Sequence, residues 1–220
     1  MLEAVGAEAT LRLLEVGSYL HFLRSIAKVS RGPAVRPSFA AAKGFFFVHL
    51  YGVYEYTVTS ALRETLRIIN LSGLSMLDCK PALLSLALDG ECEALSFSGR
   101  STSWPKRIAL FERTRSADAI AINDSIVPTD GRNLQWAQLQ SIWAAFSIED
   151  PVLPDMRLRG TLEELVDKRN AIAHGRETAG DVGRRFTVQD LDGRYRAMNL
   201  LCSHIVSTFD EYLNRKDYRV

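Results

Sequence analysis

The segment from Phe39 to about Ile69 constrains the fold most, because it contains no proline, asparagine or aspartate. Its β-branched and aromatic residues would also suit strands, but its length without turn residues favours a helix. Apolar residues recur near the 3.6-residue helical period and give this segment a broad apolar face: Phe46, Leu50, Val53, Val58, Leu62, Leu66 and Ile69. We therefore predict one long helix whose apolar face must be covered by other helices.

The same period predicts four further helices. A break at Arg31-Gly32-Pro33 separates the first of them from the long helix, which Arg36-Pro37-Ser38 opens. The four helices run from Leu2 to about Val29, from Leu134 to Phe146, from Thr161 to His174, and from just after Thr187 to about Asn214.

Two helix starts carry the spacing of a capping box, in which a threonine is followed three residues later by an acidic residue. Thr161 with Glu164 predicts the start of one helix, and Thr187 with Asp190 predicts the start of the last. Gly175 is well placed to end the helix that begins near Thr161.

Residues 70–133 are less regular, with one apolar segment at Pro81–Leu88 and a short helix predicted at Lys106–Thr114. Residues 96–105 have the composition of a loop. We interpret residues 70–133 as an irregular insertion between the second and the later core helices. The predicted fold class is all-α: residues 1–220 form a single domain, an up-and-down helical bundle carrying this insertion.

Three tryptophans, Trp104, Trp136 and Trp143, are taken as core or interface residues.

Charge and length limit the function classes. The chain has 220 residues, with 27 lysines and arginines against 26 aspartates and glutamates. This balance argues against a protein that coats nucleic acid generally, although it leaves room for a local basic site. Of the 27 cations, 21 are arginine, the side chain better suited to two-pronged contact with phosphate.

The remaining composition points to a protein of a reducing cytoplasm without a membrane segment. Cys79, Cys92 and Cys202 match no disulfide or metal framework. The acidic N-terminal residues do not resemble a signal peptide. The most apolar run, Phe45 to Tyr54, is too short to span a bilayer.

One segment suggests chemistry: Arg169 to Gly175, which reads RNAIAHG. An arginine can stabilise phosphate charge and a histidine can move a proton, which together suffice to cut RNA without a metal. The spacing alone is weak, because roughly one such arginine–histidine match is expected by chance in a chain of this composition.

The helical position of Arg169 adds weight. At about 100° per residue, Arg169 falls on the same stripe as five apolar residues, Leu162, Leu165, Val166, Ile172 and Ala173. A guanidinium there must be paired, or must line a crevice or a subunit interface. Glu55 is a candidate partner, which would make Arg169 a structural residue. Asn170 and His174 are four residues apart, so the amide could orient the imidazole, but His174 could also simply cap the helix.

Other chemistries find no support in the sequence. The histidines His21, His49, His174 and His204 lack zinc-ligand spacing, and neither a phosphate-binding P-loop nor a nucleophile elbow is present. We predict no metal site and no cofactor.

The block from Leu165 to Gly175, LVDKRNAIAHG, resembles the signature of the HEPN superfamily, and most closely its RiboL-PSP-HEPN branch. The aromatic segment Leu50–Glu55, LYGVYE, is similar to a second recurring segment of the family. Residues 123–128 and the following Leu139–Phe146 resemble the linking region of that branch. The resemblance spans roughly Phe39 to Asn214, and the arginine-to-histidine block is its most specific part.

The resemblance implies an endoribonuclease that acts as a homodimer, with the motif helices of two subunits forming one composite cleft. Arg169 and His174 would be catalytic, and Asn170 would support them. On a helix, five residues correspond to about 140°, so a cleft built from two chains would resolve how Arg169 and His174 act together.

Relatives of this kind act on RNA as toxins or in antiviral and stress defence, so a neutralising or defence-system partner is implied. Some family toxins carry a modified tyrosine two residues after the histidine, and this chain has Arg176 there, which argues against that route of control.

Three arginines after the motif, Arg176, Arg184 and Arg185, could hold flanking phosphates. Equally, they could be surface arginines paired with Glu177 and Asp181.

The alternative function is a non-catalytic, dimeric HEPN-like module that binds RNA, a nucleotide or a protein partner. Such a module would keep Arg169 as a ligand contact or as a member of an ion pair.

Overall fold

A computed structural model describes residues 1–29, 36–129, 131 and 133–220. Over these residues the chain forms nine helices and no β-strand, which confirms the all-α prediction. The predicted break at Arg31-Gly32-Pro33 lies outside the described residues. The helices are α1 Glu3–Val29, α2 Arg36–Leu71, α3 Pro81–Ala87, α4 Asp89–Ser96, α5 Arg100–Arg113, α6 Trp136–Phe146, α7 Leu158–Ala173, α8 Ala179–Arg184 and α9 Val188–Arg215.

Helix α2 lies at the centre of the bundle. It packs against α1, α7, α8 and α9, and its predicted apolar face is buried along its whole length. Helices α1 and α9 also contact each other, whereas α1 and α7 share no contact. The motif helix α7 and the N-terminal helix α1 therefore approach the α2–α9 pair from different sides.

Two glycines allow α2 and α8 to touch backbone to backbone. A Cβ atom on Gly44 would overlap the carbonyl oxygen of Ala179, and one on Gly183 would overlap that of Ala40. Because α8 follows the motif helix after a short turn, this contact fixes the chain just beyond α7 against α2.

The insertion is more helical than the sequence predicts. It contains α3, α4 and α5, and α5 begins at Arg100 and continues through Pro105, so the predicted loop at residues 96–105 is wrong from Arg100 onward. Helix α4 packs on α3, and α5 touches only α4 among the helices. Neither α4 nor α5 has a fully buried residue. Helices α4 and α5 therefore form an arm within the insertion that meets the core through α3 and the half-buried Leu110, before the chain returns to the core at Ile120.

The two predicted capping boxes have different outcomes. Thr187 accepts a hydrogen bond from the Asp190 backbone N–H, and Asp190 accepts one from the Thr187 N–H, so the box at α9 is confirmed. Helix α7 begins at Leu158 with no side-chain cap, which places Thr161 inside its first turns. The box predicted at Thr161 is therefore wrong.

The tryptophans also differ in environment. Trp143 is buried and Trp136 is half-buried against the core, whereas Trp104 on α5 is 66% exposed. A core position is therefore wrong for Trp104.

Over the residues described, no helix is both long enough and apolar enough to cross a membrane.

The α2–α8 contact predicts a large difference between two glycine-to-alanine substitutions on one helix. Gly44→Ala should lower the free energy of unfolding by about 2–3 kcal/mol, since backbone must move to admit the methyl group. Gly52→Ala meets nothing within 4 Å and should leave stability unchanged or raise it by up to about 1 kcal/mol through helix propensity. Urea denaturation followed by circular dichroism measures both, and equal stabilities would contradict the close approach.

The capping assignment predicts a second matched pair. Thr187→Ala removes a formed cap and should cost about 1 kcal/mol of unfolding free energy. Thr161→Ala removes no cap and should change stability by less than about 0.5 kcal/mol. Thermal or urea unfolding of both variants tests this, and a larger loss for Thr161→Ala would place the start of α7 elsewhere.

Candidate functional site

Helix α7 carries the motif and presents it to the bundle. Leu162, Leu165 and Val166 are buried, and Arg169 follows them on the same stripe in a half-buried position. The apolar residues hold α7 on its neighbours α2 and α9. The guanidinium of Arg169 is thereby held at the edge of the core and close to solvent.

The helix ends one residue before His174. Ala173 is the last residue of α7 and is exposed, and His174 is the C-cap residue with φ −96° and ψ 8°. Gly175 takes the left-handed conformation (φ +68°) that stops the helix, as predicted. Although a helix places them about 140° apart, Arg169 and His174 both line the same cleft of a single chain.

Arg169 is surrounded by neutral groups. Its Nη1 donates hydrogen bonds to the Oδ1 atoms of Asn133 at 2.8 Å and Asn170 at 3.0 Å. Its Cζ lies 4.6 Å from the centre of the Tyr51 ring, a cation–π contact. No carboxylate among the described residues pairs with it within 4.0 Å. Within the described part of the chain, the positive charge is therefore held in place without a direct ion pair.

The predicted direct pair between Arg169 and Glu55 is not formed, and Tyr51 connects the two instead. The Tyr51 hydroxyl donates to Glu55 Oε1 at 2.9 Å while its ring faces the guanidinium. Burial raises the pKa of the Tyr51 phenol, and the adjacent Glu55 carboxylate raises it further. The phenol therefore stays protonated at neutral pH and remains a donor to Glu55.

Asn170 and His174 do not form the predicted side-chain pair. The amide oxygen of Asn170 faces Arg169, and the two residues meet only through the bond from the His174 backbone N–H to the Asn170 carbonyl, at 3.0 Å. The imidazole of His174 is exposed and makes no side-chain hydrogen bond or ion pair with any described residue. It is thus free to contact a ligand.

These residues line one open cleft with a volume of about 410 Å³. The cleft brings together a cation, an imidazole, a carboxylate and several side-chain amides, which are groups that recognise phosphates and nucleobases. No cluster of three or more potential metal ligands is found among the described residues. The lining residues are Glu55, Gly131, Asn133, Gln135, Arg169, Asn170 and His174.

The three arginines that follow the motif are each paired with an acidic residue. Arg176 bonds Asp167 at 3.1 Å, Arg184 bonds Asp181 at 2.7 Å, and Arg185 bonds Glu177. Hydrogen bonds from Lys168 and Arg176 lower the pKa of Asp167, which is therefore ionised at neutral pH. All three arginines are exposed, so their contact with RNA phosphates stays a prediction.

Asn133 and Tyr51 are site residues that the sequence did not single out. Tyr51 precedes Glu55 by one helical turn, so its contact with that residue has a local signal. Asn133 lies 36 residues before Arg169, in the segment that leads into α6, and no spacing rule connects the two. Only the fold brings this amide to the guanidinium.

Comparison with known families agrees with the all-α fold. The model of the HEPN family described as MAE_28990-like matches residues 2–218. No curated protein and no solved structure matches the chain. The predicted membership of the HEPN superfamily is thereby confirmed, while placement in the RiboL-PSP-HEPN branch stays a prediction. Since the match covers nearly the whole chain, this protein belongs to the MAE_28990-like HEPN family.

Proposed function

We propose that the protein is a metal-independent endoribonuclease whose catalytic residues are Arg169 and His174. The observation that carries this proposal is the pairing of a positioned, unneutralised guanidinium with an unbonded imidazole in one open cleft. HEPN domains are often ribonucleases, which supports the same conclusion.

The reaction follows from the chemistry of RNA. His174 takes the proton of a 2′-hydroxyl, whose oxygen attacks the adjacent phosphorus. Arg169 stabilises the negative charge that grows on the phosphorane oxygens. As the O2′–P bond forms, the P–O5′ bond breaks and the departing 5′-oxygen takes a proton from solvent water, while His174 keeps the proton of the 2′-hydroxyl until it is lost to solvent. The products are a 2′,3′-cyclic phosphate and a 5′-hydroxyl, and DNA is not cut because it lacks the nucleophile.

Asn133 and Asn170 would act as positioning residues. Each accepts a hydrogen bond from the same nitrogen of Arg169, and the Tyr51 ring stacks on the guanidinium. A planar cation held from two directions loses little further freedom when phosphate arrives.

We further propose that two subunits complete the cleft. HEPN domains commonly dimerise and bind RNA, and an open cleft can accept elements of a second chain. The biological role that fits is a toxin or an antiviral or stress-defence effector, controlled by a partner protein.

The second candidate is a non-catalytic dimeric module that binds RNA, a nucleotide or a protein. It draws on the same contacts, because an arginine held by two amides and an aromatic ring can serve as a fixed ligand contact without catalysis. RNA binding without cleavage by the purified wild-type protein would favour it.

Substitution of either catalytic residue should strongly reduce the rate of RNA cleavage. In buffer with EDTA, Arg169→Ala should lower the rate of RNA cleavage by about 10²–10³-fold and His174→Ala by about 10²–10⁴-fold. Arg169→Lys keeps the charge but not the planar fork, so its activity should lie between those of wild type and Arg169→Ala. Gel analysis of labelled RNA measures the rates. Unchanged cleavage in both alanine variants would refute the assignment, and loss of wild-type activity in EDTA would indicate a metal enzyme.

Removing a positioning amide should have a smaller effect of a different kind. Asn133→Ala should lower kcat roughly tenfold with little change in KM, since a hydrogen bond to a charged group is lost while the charge remains. Asn199→Ala, which alters an exposed asparagine on α9, is the matched control and should be silent. Equal kcat values for the two variants would remove Asn133 from the site.

A further inference from the structure

The arm formed by α4 and α5 carries an apolar face that the fold leaves uncovered. Three side chains on α5 are largely exposed: Trp104 at 66%, Ile108 at 56% and Phe111 at 70%. They occupy positions i, i+4 and i+7 and therefore lie on one side of the helix. Helix α5 packs on the core only through its half-buried Leu110, so this opposite face is left uncovered and is suited to contact with another molecule.

Arginines surround the exposed face. Residues 100–115 contain five basic residues and one acidic residue, in a chain whose net charge is only +1. Lys106 and Arg113 contact α4, through the Ala94 carbonyl and Glu91 respectively. The other three, Arg100, Arg107 and Arg115, are exposed and pair with no carboxylate that the structure describes. The excess positive charge thus faces the same direction as the aromatic rings.

We propose that this α5 face, consisting of Trp104, Ile108, Phe111 and the three unpaired arginines, binds single-stranded RNA. The inference deepens the proposed function, since it assigns a holding surface for the same class of substrate. Aromatic side chains stack on bases regardless of sequence, and arginines contact the phosphates between them. Arg107 already lies 5.1 Å from the Trp104 ring centre, so the cation and the stacking surface are adjacent.

The charge distribution decides between RNA and a protein partner. An apolar face alone would suit either ligand. Arg107 and Arg115 line this face together with Glu112, so positive charge exceeds negative charge there, and a polyanion complements that excess. Exposed aromatic rings beside an excess of arginine are the combination that binds the bases and phosphates of a single strand.

Binding can be measured without cleavage. The probe is a fluorescein-labelled, 2′-O-methyl oligouridylate of about 12 nucleotides, within the range of known single-strand sites, and it has no free 2′-hydroxyl to react. Fluorescence anisotropy with the full-length protein gives the affinity. Cleavage of ordinary RNA is assayed separately, so failure of the proposed nuclease activity and failure of the arm to bind RNA are distinct results.

The expected result is a loss of affinity confined to the arm variants. The double variant Trp104→Ala, Phe111→Ala should weaken binding about tenfold or more. The double variant Arg107→Ala, Arg115→Ala should also weaken binding, and its affinity should depend less on salt concentration. The control, Leu11→Ala with Leu14→Ala, removes exposed apolar side chains from α1, which does not contact α5, and should leave affinity unchanged. Because the substituted residues are exposed, circular dichroism should show all variants folded.

Two outcomes would overturn the proposal. One is an RNA affinity in both arm variants equal to that of the parent protein. The other is a drop in the molar mass of the Trp104→Ala, Phe111→Ala variant in light scattering, with or without weaker RNA binding, which would assign the face to contact between copies of the chain.

Discussion

The backbone contact between α2 and α8 is the constraint on which the position of the cleft depends. Gly44 and Gly183 let the two helices approach until no side chain fits between them. On α2, Tyr51 follows Gly44 by two turns, and on the other side of the contact α8 is tied to the end of α7 by a short turn. Both halves of the cleft are thus fixed to one point of close packing, and the same helix α2 also supports α1 and α9.

In the cleft held by this packing, the guanidinium of Arg169 stays accessible to a phosphate ligand. A half-buried guanidinium is usually stabilised by a carboxylate, and such a pair would cancel the field that a phosphate ligand needs. Here Asn133, Asn170 and the Tyr51 ring stabilise Arg169 with partial charges only. Glu55 is nearby but is engaged by the Tyr51 hydroxyl. The arrangement satisfies hydrogen bonds to the cation and leaves the guanidinium without a direct ion pair among the described residues, while the Glu55 carboxylate lines the same cleft.

Much of this could be predicted from the sequence, because periodic apolar residues report directly on helices that are buried on one face. Helices α1, α2 and α9 and the apolar stripe of α7 were predictable in this way, as was the helix stop at Gly175. The start of α7 was missed because Thr161 has cap spacing but sits inside a helix that begins without a side-chain cap. The second half of α5 agrees with the short helix predicted from Lys106, whereas its first half, Arg100 to Pro105, was missed because that exposed, proline-containing stretch has the composition of a loop.

The site itself was only half predictable. Arg169 and His174 belong to a local motif, whereas the Asn133 amide reaches Arg169 through tertiary structure alone. That Arg169 and His174 share a cleft within one chain is also not evident from helical geometry, which separates them by about 140°.

The chemistry of the cut ends tests the central claim most directly, because it reports on the nucleophile. After digestion of RNA in EDTA, mass spectrometry should find 2′,3′-cyclic phosphate and 5′-hydroxyl ends, and a single 2′-deoxy substitution at a cleaved position should block cutting there alone. Fragments ending in 3′-hydroxyl and 5′-phosphate, or continued cutting at the deoxy position, would contradict attack by the 2′-hydroxyl and with it the roles given to His174 and Arg169.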